Sequence, residues 1–297
     1  MRVLITGASG FIGTSVQRHL EGECEFTRYI RGTSPEIDHD VVLHLAGKAH
    51  DTDEASDPGS YYRSNTDLTK SLFDAFLASQ ARVFIFMSSV KAVAEHAREP
   101  LTEDALPNPA THYGKSKLQA EEHLILKMGT SGKKIFILRP CLVYGPGQKG
   151  NLSLLSTVIR RGLPWPFGAF DNMRSFCAVE NLSTTIKALI FRDDIAEGVY
   201  HIADDDPIST RELVSVIGTA LGKPARFLVI PEQVIRVGAA LGDMLHLPFN
   251  TSRLSRLTES YVVSNQKIRK AIGTPFPVTT REGLIQAFQH AHIHSDS

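Results

Sequence analysis

The first thirteen residues, Met1-Arg2-Val3-Leu4-Ile5-Thr6-Gly7-Ala8-Ser9-Gly10-Phe11-Ile12-Gly13, constrain this chain more than any other stretch. An apolar run feeds glycines at 7, 10 and 13 and then an apolar-periodic segment, which reads as strand, tight turn and helix. Glycine at the turn lets backbone approach a ligand closely, while the free N–H groups and positive dipole end of the helix favour phosphate. Gly13 lets helix and strand pack against one another. Gly7, Ser9, Gly10, Phe11, Ile12 and Gly13 are therefore expected to seat the pyrophosphate of a dinucleotide. Three spaced glycines alone are a weak signal. A Tyr113-Gly114-Lys115-Ser116-Lys117 segment further along makes accident a poor explanation.

The chain has 297 residues, 42% hydrophobic and 22% charged, enough for one large α/β core and a smaller lobe. Its formal net charge is zero. That excludes the general basic footprint that nucleic acid or an acidic membrane surface calls for, so phosphate recognition must come from individually placed arginines. Cys24, Cys141 and Cys177 lie far apart without a CxxC pair, which predicts neither a disulfide framework nor a metal site and fits a reducing cytoplasm. No charged n-region with a long apolar h-region opens the chain, and no stretch approaches 18 uninterrupted apolar residues. Neither export nor a membrane span is expected. His290, His292 and His294 alternate near the end and read as a solvated terminus.

Apolar, β-branched runs at 2–6, 24–30, 40–46, 82–87 and 134–139 alternate with helix-like stretches at 11–21, 65–79 and 114–128. The pattern predicts repeated βα units and a doubly wound parallel sheet. Beyond Tyr144-Gly145-Pro146-Gly147 it changes. Pro164, Trp165, Pro166 and Gly168 crowd a loop, a strand-like 199–203 follows, and from about 208 come short helices with one more strand, Phe227 to Ile230. We expect residues 1–163 and 177–203 to form the dinucleotide domain, and 164–176 and 204–297 a smaller α/β lobe over a substrate cleft. Only nine residues, 32 to 40, separate the second strand from the third. A parallel crossover needs roughly ten or more for its helix alone, whereas nine extended residues reach about 30 Å and can pass beneath the first strand. The sheet should lack, or nearly lack, the usual third strand of such folds.

Tyr113 and Lys117 sit four apart at the start of a predicted helix, so both address one face. A tyrosine pKa near 10 is too high for efficient proton exchange at neutral pH, and a nearby ammonium would stabilise the phenolate. Ser88 and Ser89 end the fourth strand at the carboxyl edge, where ligands of open α/β sheets bind and a hydroxyl can hydrogen-bond a substrate oxygen.

The glycine run, His44-Leu45-Ala46, the Ser-Ser strand end, the YxxxK spacing and Arg139-Pro140 through Gly147 together resemble the extended short-chain dehydrogenase/reductase superfamily, and within it the NAD-dependent epimerase/dehydratase family. The resemblance implies a Rossmann-type fold with Ser89, Tyr113 and Lys117 as catalytic triad, Tyr113 being the acid/base and Lys117 both tuning it and holding the nicotinamide ribose. It implies cofactor contacts from Leu45, Ala46, Gly47, Asn65, Ser88 and Pro140, with Leu68 standing where glycine is usual. Gly147-Gln148-Lys149-Gly150-Asn151, Arg161-Gly162-Leu163-Pro164 and Arg174-Ser175-Phe176 resemble the bacterial branch that reduces UDP-4-keto-6-deoxy-N-acetylhexosamines for surface polysaccharides. Substrate contacts are implied for Ser89, Asn151 and Arg174, with Arg253 or Arg256 as a second clamp on the diphosphate. A homodimer through helices 65–79 and 114–128 is the family expectation.

Two departures choose among activities. Dehydratases of the family carry Asp-Glu after the catalytic hydroxyl, and Val90-Lys91 stands here, which speaks against 4,6-dehydration. NAD-preferring members place an acid at the end of the second strand, and Arg31 stands here with Arg28 nearby. A cation suits a 2′-phosphate, so NADP(H) is favoured and NAD remains possible. Asp38 is the candidate replacement for the usual acid beside adenine. The leading expectation is a cytoplasmic NADP(H)-dependent 4-ketoreductase of a nucleotide sugar. The alternatives are a UDP-hexose or UDP-N-acetylhexosamine 4-epimerase with tightly held NAD, and a non-catalytic dinucleotide sensor. His44 reads as a packing residue, Lys91 as solvated, Arg160 and Arg161 as an exposed helix end, and Cys141 and Cys177 as small buried residues. Trp165, Phe167 and Phe170 suit either a base-stacking loop or the core of the small lobe.

Overall fold

The structure, a computed structural model, describes every residue except 34, 49–56, 98, 149–150, 246–249 and 294–297, and the side chains of 151, 154, 252, 253, 256 and 290–293 lie outside the description. The first half runs β1 (Arg2–Thr6), α1 (Phe11–His19), β2 (Glu25–Arg28), β3 (Val41–His44), α2 (Pro58–Tyr61), a π-helical turn (Tyr62–Asp67), α3 (Leu68–Ala78), β4 (Val83–Met87), α4 (His112–Ile125) and β5 (Lys134–Pro140). The second runs β6 (Leu142–Tyr144), α5 (Asn151–Arg160), β7 (Met173–Arg174), β8 (Phe176–Ala178), α6 (Val179–Phe191), β9 (Gly198–Ile202), β10 (Ile208–Ser209), α7 (Thr210–Ala220), α8 (Glu232–Met244), α9 (Thr251–Thr258), α10 (Gln266–Ile272) and α11 (Thr280–Ile293).

Six strands pair in parallel in the order β2-β1-β3-β4-β5-β9. Because β2 and β3 flank β1 on opposite sides, the order in which strands are added to the sheet reverses there, and the crevice at the carboxyl ends of β1 and β3 is the switch point where such sheets bind ligands. No described residue between 29 and 40 is in a strand, so the third strand is indeed missing and β2 forms the edge. The link returns under β1: the Asp40 N–H donates to the Arg2 carbonyl (3.0 Å), and Asp38 pairs with the Arg2 guanidinium (3.0 Å). This corrects the expectation for Asp38. Arg2 begins β1, so Asp38 lies at the amino edge of the sheet, the end opposite the glycine turn, and cannot stand beside adenine.

Alternation along each strand sends its side chains to two cores. Val3, Ile5, Leu43, Ile85 and Phe136 pack with Val16 of α1 and Leu182 and Ile186 of α6. Leu4, Val42, Phe84 and Ile137 pack with Phe73 and Phe76 of α3 and Leu124 of α4. Phe73 and Phe76 are thus sheet-facing, their rings 5.1 and 5.2 Å from that of Phe84. A third core gathers Leu155, Trp165, Ile217, Leu284 and Phe288 from α5, α7, α11 and the loop after α5, and a small fourth holds Phe170, Ile235 and Leu254. Trp165 and Phe170 therefore act as core residues. The strand expected at Phe227 to Ile230 makes only isolated bridges to Trp165 and Phe167, since Pro164, Pro166 and Pro231 remove ladder donors around it.

One polar interaction crosses this apolar interior. The Arg139 Nε of β5 donates to both carboxylate oxygens of Glu121 on α4 (3.0 and 3.1 Å), and the Ser88 hydroxyl, just past β4, donates to the same carboxylate. Glu121 is fully buried and the Arg139 side chain is 4% exposed. Removing one partner of such a pair leaves an uncompensated buried charge. Glu121→Ala is expected to lower unfolding free energy by about 3–5 kcal/mol in urea titrations at neutral pH; a change within experimental error would show that Arg139 finds another partner.

Candidate active site

The glycine turn has the shape its sequence requires. Gly7 has φ +68°, and a Cβ there would lie 2.8 Å from the Ala46 nitrogen. A Cβ on Gly13 would lie 2.2 Å from the Gly7 carbonyl oxygen. The Gly10 N–H closes the turn onto that carbonyl (3.0 Å). Among the described residues no side chain caps α1, and Ser9 and Gly10 are exposed, so the helix start faces outward. Phe11 and Ile12 open its first turn, half-buried. This cradle fits a pyrophosphate.

Beside it, the β3 end is braced by buried polar contacts. His44 bonds Thr6 through Nδ1 (2.6 Å) and Thr69 through Nε2 (2.8 Å), and burial lowers its pKa to about 3. It is a neutral packing residue, and Thr6 in turn accepts from the Ala46 N–H (2.9 Å). Asn65, carried inward by the π turn, donates to Ser116 Oγ (2.9 Å) and to the Lys48 carbonyl (3.1 Å), and accepts from the Lys48 N–H (2.7 Å). A Cβ on Gly47 would lie 2.8 Å from Lys117 Nζ. Leu45, Ala46, Gly47, Asn65 and Lys117 thus meet in one place.

The start of α4 lies against the turn that follows β4. Thr111 caps the helix at the Gly114 N–H (3.2 Å), and Gly114 is needed because a Cβ would lie 2.3 Å from the Lys91 carbonyl oxygen. That closeness brings Tyr113 to Ser89, and the two hydroxyls are hydrogen-bonded. Ser88, the next residue up the chain and on the other face, is turned to Glu121 instead. Burial pushes the Tyr113 pKa above its ordinary value; the Ser89 bond pulls it down, and Glu95 and Glu121 push it further up. Lys117 Nζ reaches the Met87 carbonyl (2.8 Å), and burial brings the ammonium pKa down to about 8, opposed by Glu121. Lys117 thus sits at the Met87 carbonyl, one turn of α4 beyond Tyr113.

Arg31 is exposed in the turn after β2, with Arg28 exposed on the strand, and Tyr29 to Thr33 includes no acid. Pro140 is buried at the end of β5 beside Ile202. Arg174 on β7 is half-buried; burial lowers its pKa, while Glu259 and then Cys141 and Tyr261 oppose that. The side chains of Asn151, Arg253 and Arg256 lie outside the described residues. Lys91 is not solvated, since it pairs with Glu95 (3.1 Å) and lies 4.5 Å from the centre of the Tyr261 ring. Its partner, four residues on, and the ring from 170 residues away were not foreseen, although the i,i+4 spacing was visible. Cys141 and Cys177 are buried, their thiol pKa values raised well above normal by burial. Among the described residues no group of three or more His, Cys, Asp or Glu could hold a metal, and no helix is long and apolar enough to cross a membrane.

The family model "NAD dependent epimerase/dehydratase family" matches residues 32–204. The chain is 29% identical to UDP-glucose 4-epimerase from Vibrio cholerae, over 97% of its own length and 94% of that protein. It is 28% identical to GDP-6-deoxy-D-mannose reductase from Pseudomonas aeruginosa, over 73% of its length and 79% of that protein. Its fold matches that of UDP-glucuronic acid 4-epimerase from Bacillus cereus, solved with NAD, with a TM-score of 0.76, 20% identity and 99% of each chain covered. The chain belongs to the NAD dependent epimerase/dehydratase family and is an enzyme of the extended short-chain dehydrogenase/reductase type.

If the turn seats phosphates, Gly13→Ala must displace the Gly7 carbonyl. Affinity for a nicotinamide dinucleotide is expected to fall at least about tenfold, near 1.4 kcal/mol, by fluorescence titration of the folded variant. Unchanged affinity would place the pyrophosphate elsewhere.

Proposed function

We propose that this enzyme uses NADP(H) to reduce a nucleotide-linked 4-keto sugar at C4, the substrate class being a UDP-4-keto-6-deoxy-N-acetylhexosamine used for surface polysaccharide. The observation that carries this reading is the hydrogen-bonded Ser89–Tyr113 pair beside the glycine cradle. A phenol is protonated at neutral pH and can give its proton to an alkoxide as it forms. With a dinucleotide's pyrophosphate in the cradle, the nicotinamide would supply hydride to the ketone carbon. Tyr113 gives its proton to the carbonyl oxygen, and Ser89 holds that oxygen by a hydrogen bond. Lys117 and Asn65 shape the bed beneath the ribose. Arg174, with Arg256 or Arg253 and Asn151, takes the diphosphate and nucleotide end. Arg31 takes the 2′-phosphate, where an exposed guanidinium suits a dianion. Water elimination is disfavoured, because Val90-Lys91 replaces an acid pair and the neighbouring carboxylate, Glu95, is bound to Lys91 and Thr111.

On this reading 1–163 with 177–203 hold the cofactor, and 164–176 with 204–297 close over the sugar. The enzyme works in the cytoplasm as a homodimer through α3 and α4. A second reading, a UDP-sugar 4-epimerase with tightly held NAD, is favoured by the full-length similarity to the Vibrio cholerae protein. Tyr113 would then take a proton from the C4 hydroxyl and later return it. A non-catalytic sensor is disfavoured by the Ser89, Tyr113 and Lys117 set.

Titration with NADPH and NADH, on protein checked for cofactor carried through purification, separates these. The expected result is an empty protein that binds NADPH more tightly, an Arg31→Ala variant that loses most of that preference, and net NADPH consumption abolished by Tyr113→Phe with binding kept. Stoichiometric bound NAD would favour the epimerase. Full activity in Tyr113→Phe would overturn the role given to Tyr113.

A further inference from the structure

Residues 89–95 form a strap between the end of β4 and the approach to α4, and its polar ends are tied to the proton-handling pair or to residues far along the chain. The Lys91 N–H donates to Ser89 Oγ (3.2 Å), and the Lys91 carbonyl lies against Gly114, next to Tyr113. The Lys91 ammonium donates to the Glu95 carbonyl (2.8 Å), pairs with Glu95 Oε2 (3.1 Å) and rests over the Tyr261 ring. Glu95 Oε1 accepts from the Thr111 hydroxyl (2.8 Å), the cap of the helix that carries Tyr113. Tyr261 donates back to the Ala94 carbonyl (2.8 Å).

Neutral, well-packed residues would hold such a strap without the desolvation cost of a partly buried ion pair. The side chains of Lys91 and Glu95 are 28% and 18% exposed, a setting in which a charge acts on its neighbours far more strongly than in bulk water. We infer that the Lys91–Glu95 pair positions and tunes Tyr113: Glu95 fixes the start of α4 through Thr111, and its carboxylate, offset by Lys91, sets how readily Tyr113 releases its proton. The inference rests on the reading that Tyr113 handles the proton in the reaction.

The groups that face Tyr113 come from three places. Ser89 at the end of β4 favours the phenolate through its hydrogen bond, while Glu95 on the strap and Glu121 on α4 oppose it. Lys117, also on α4, is held at the Met87 carbonyl. Around Glu95 stand Lys91 and Thr111, with the Tyr261 pKa raised by burial first and then by the charges of Glu95 and Cys141, and drawn the other way by Arg174; Glu259 beyond them is paired to His96. Glu121 is locked by Arg139 and Ser88. Glu95 is therefore the carboxylate that can be neutralised while the buried network stays whole. Its charge opposes loss of the Tyr113 proton.

Glu95→Gln keeps an acceptor for Thr111 but removes the charge and leaves Lys91 unopposed. Phenolate formation at Tyr113, read as near-ultraviolet absorption against a Tyr113→Phe background, is expected to shift to lower pH by roughly one unit. Lys91→Met leaves Glu95 without its counter-charge and is expected to shift it to higher pH. The double variant should return close to the parent, and circular dichroism checks that each variant is folded. An unmoved titration, or shifts of the same sign in both, overturns the inference, the latter because it reports only loosened packing. The measurement needs no substrate, so its failure is distinct from failure of the reductase reading.

Discussion

The buried pair between Arg139 and Glu121, with Ser88 as third member, is the interaction on which the site depends. Tyr113, Lys117 and Glu121 are spaced by four along α4 and so share a face. Glu121 grips β5 through Arg139 and the end of β4 through Ser88, which leaves α4 one rotation and one height on the sheet. Sliding or turning the helix would strand a charge in an apolar interior at a cost of several kcal/mol. With the helix so fixed, Lys117 meets the Met87 carbonyl and Tyr113 meets Ser89. Neighbouring serines divide the work by strand alternation, Ser88 facing the network and Ser89 facing Tyr113.

Sheet topology supplies the other half of the site. β1 sits between β2 and β3, so the glycine turn opens at the switch point, and the end of β3 is held beside it through His44, Thr6 and Thr69. The missing third strand makes β2 the edge and leaves Arg31 exposed in the turn that follows it. The edge strand and the exposed Arg31 thus lie at the same side of the sheet.

Features encoded locally were legible in the sequence, and features made by distant partners were not. The nine-residue link before Val41 was too short for a helix and strand, and that count alone removed a strand from the sheet. Gly7, Gly10 and Gly13 carried their own turn geometry. Nothing local announced that Glu121 would meet Arg139, since the two lie on different elements and their charges suggest solvent. Asp38 was misplaced because composition near a strand end does not say which edge of the sheet a return link follows. Lys91 read as solvated because its ring partner, Tyr261, comes from far along the chain.

The most direct test is a crystal structure of the enzyme with NADP and UDP-N-acetylglucosamine. The predicted result has the pyrophosphate at Gly7 to Gly13 and the sugar C4 oxygen within about 2.6–3.2 Å of both the Tyr113 and Ser89 hydroxyls. A sugar whose C4 lies away from those hydroxyls, or a dinucleotide bound outside the glycine turn, would contradict the account.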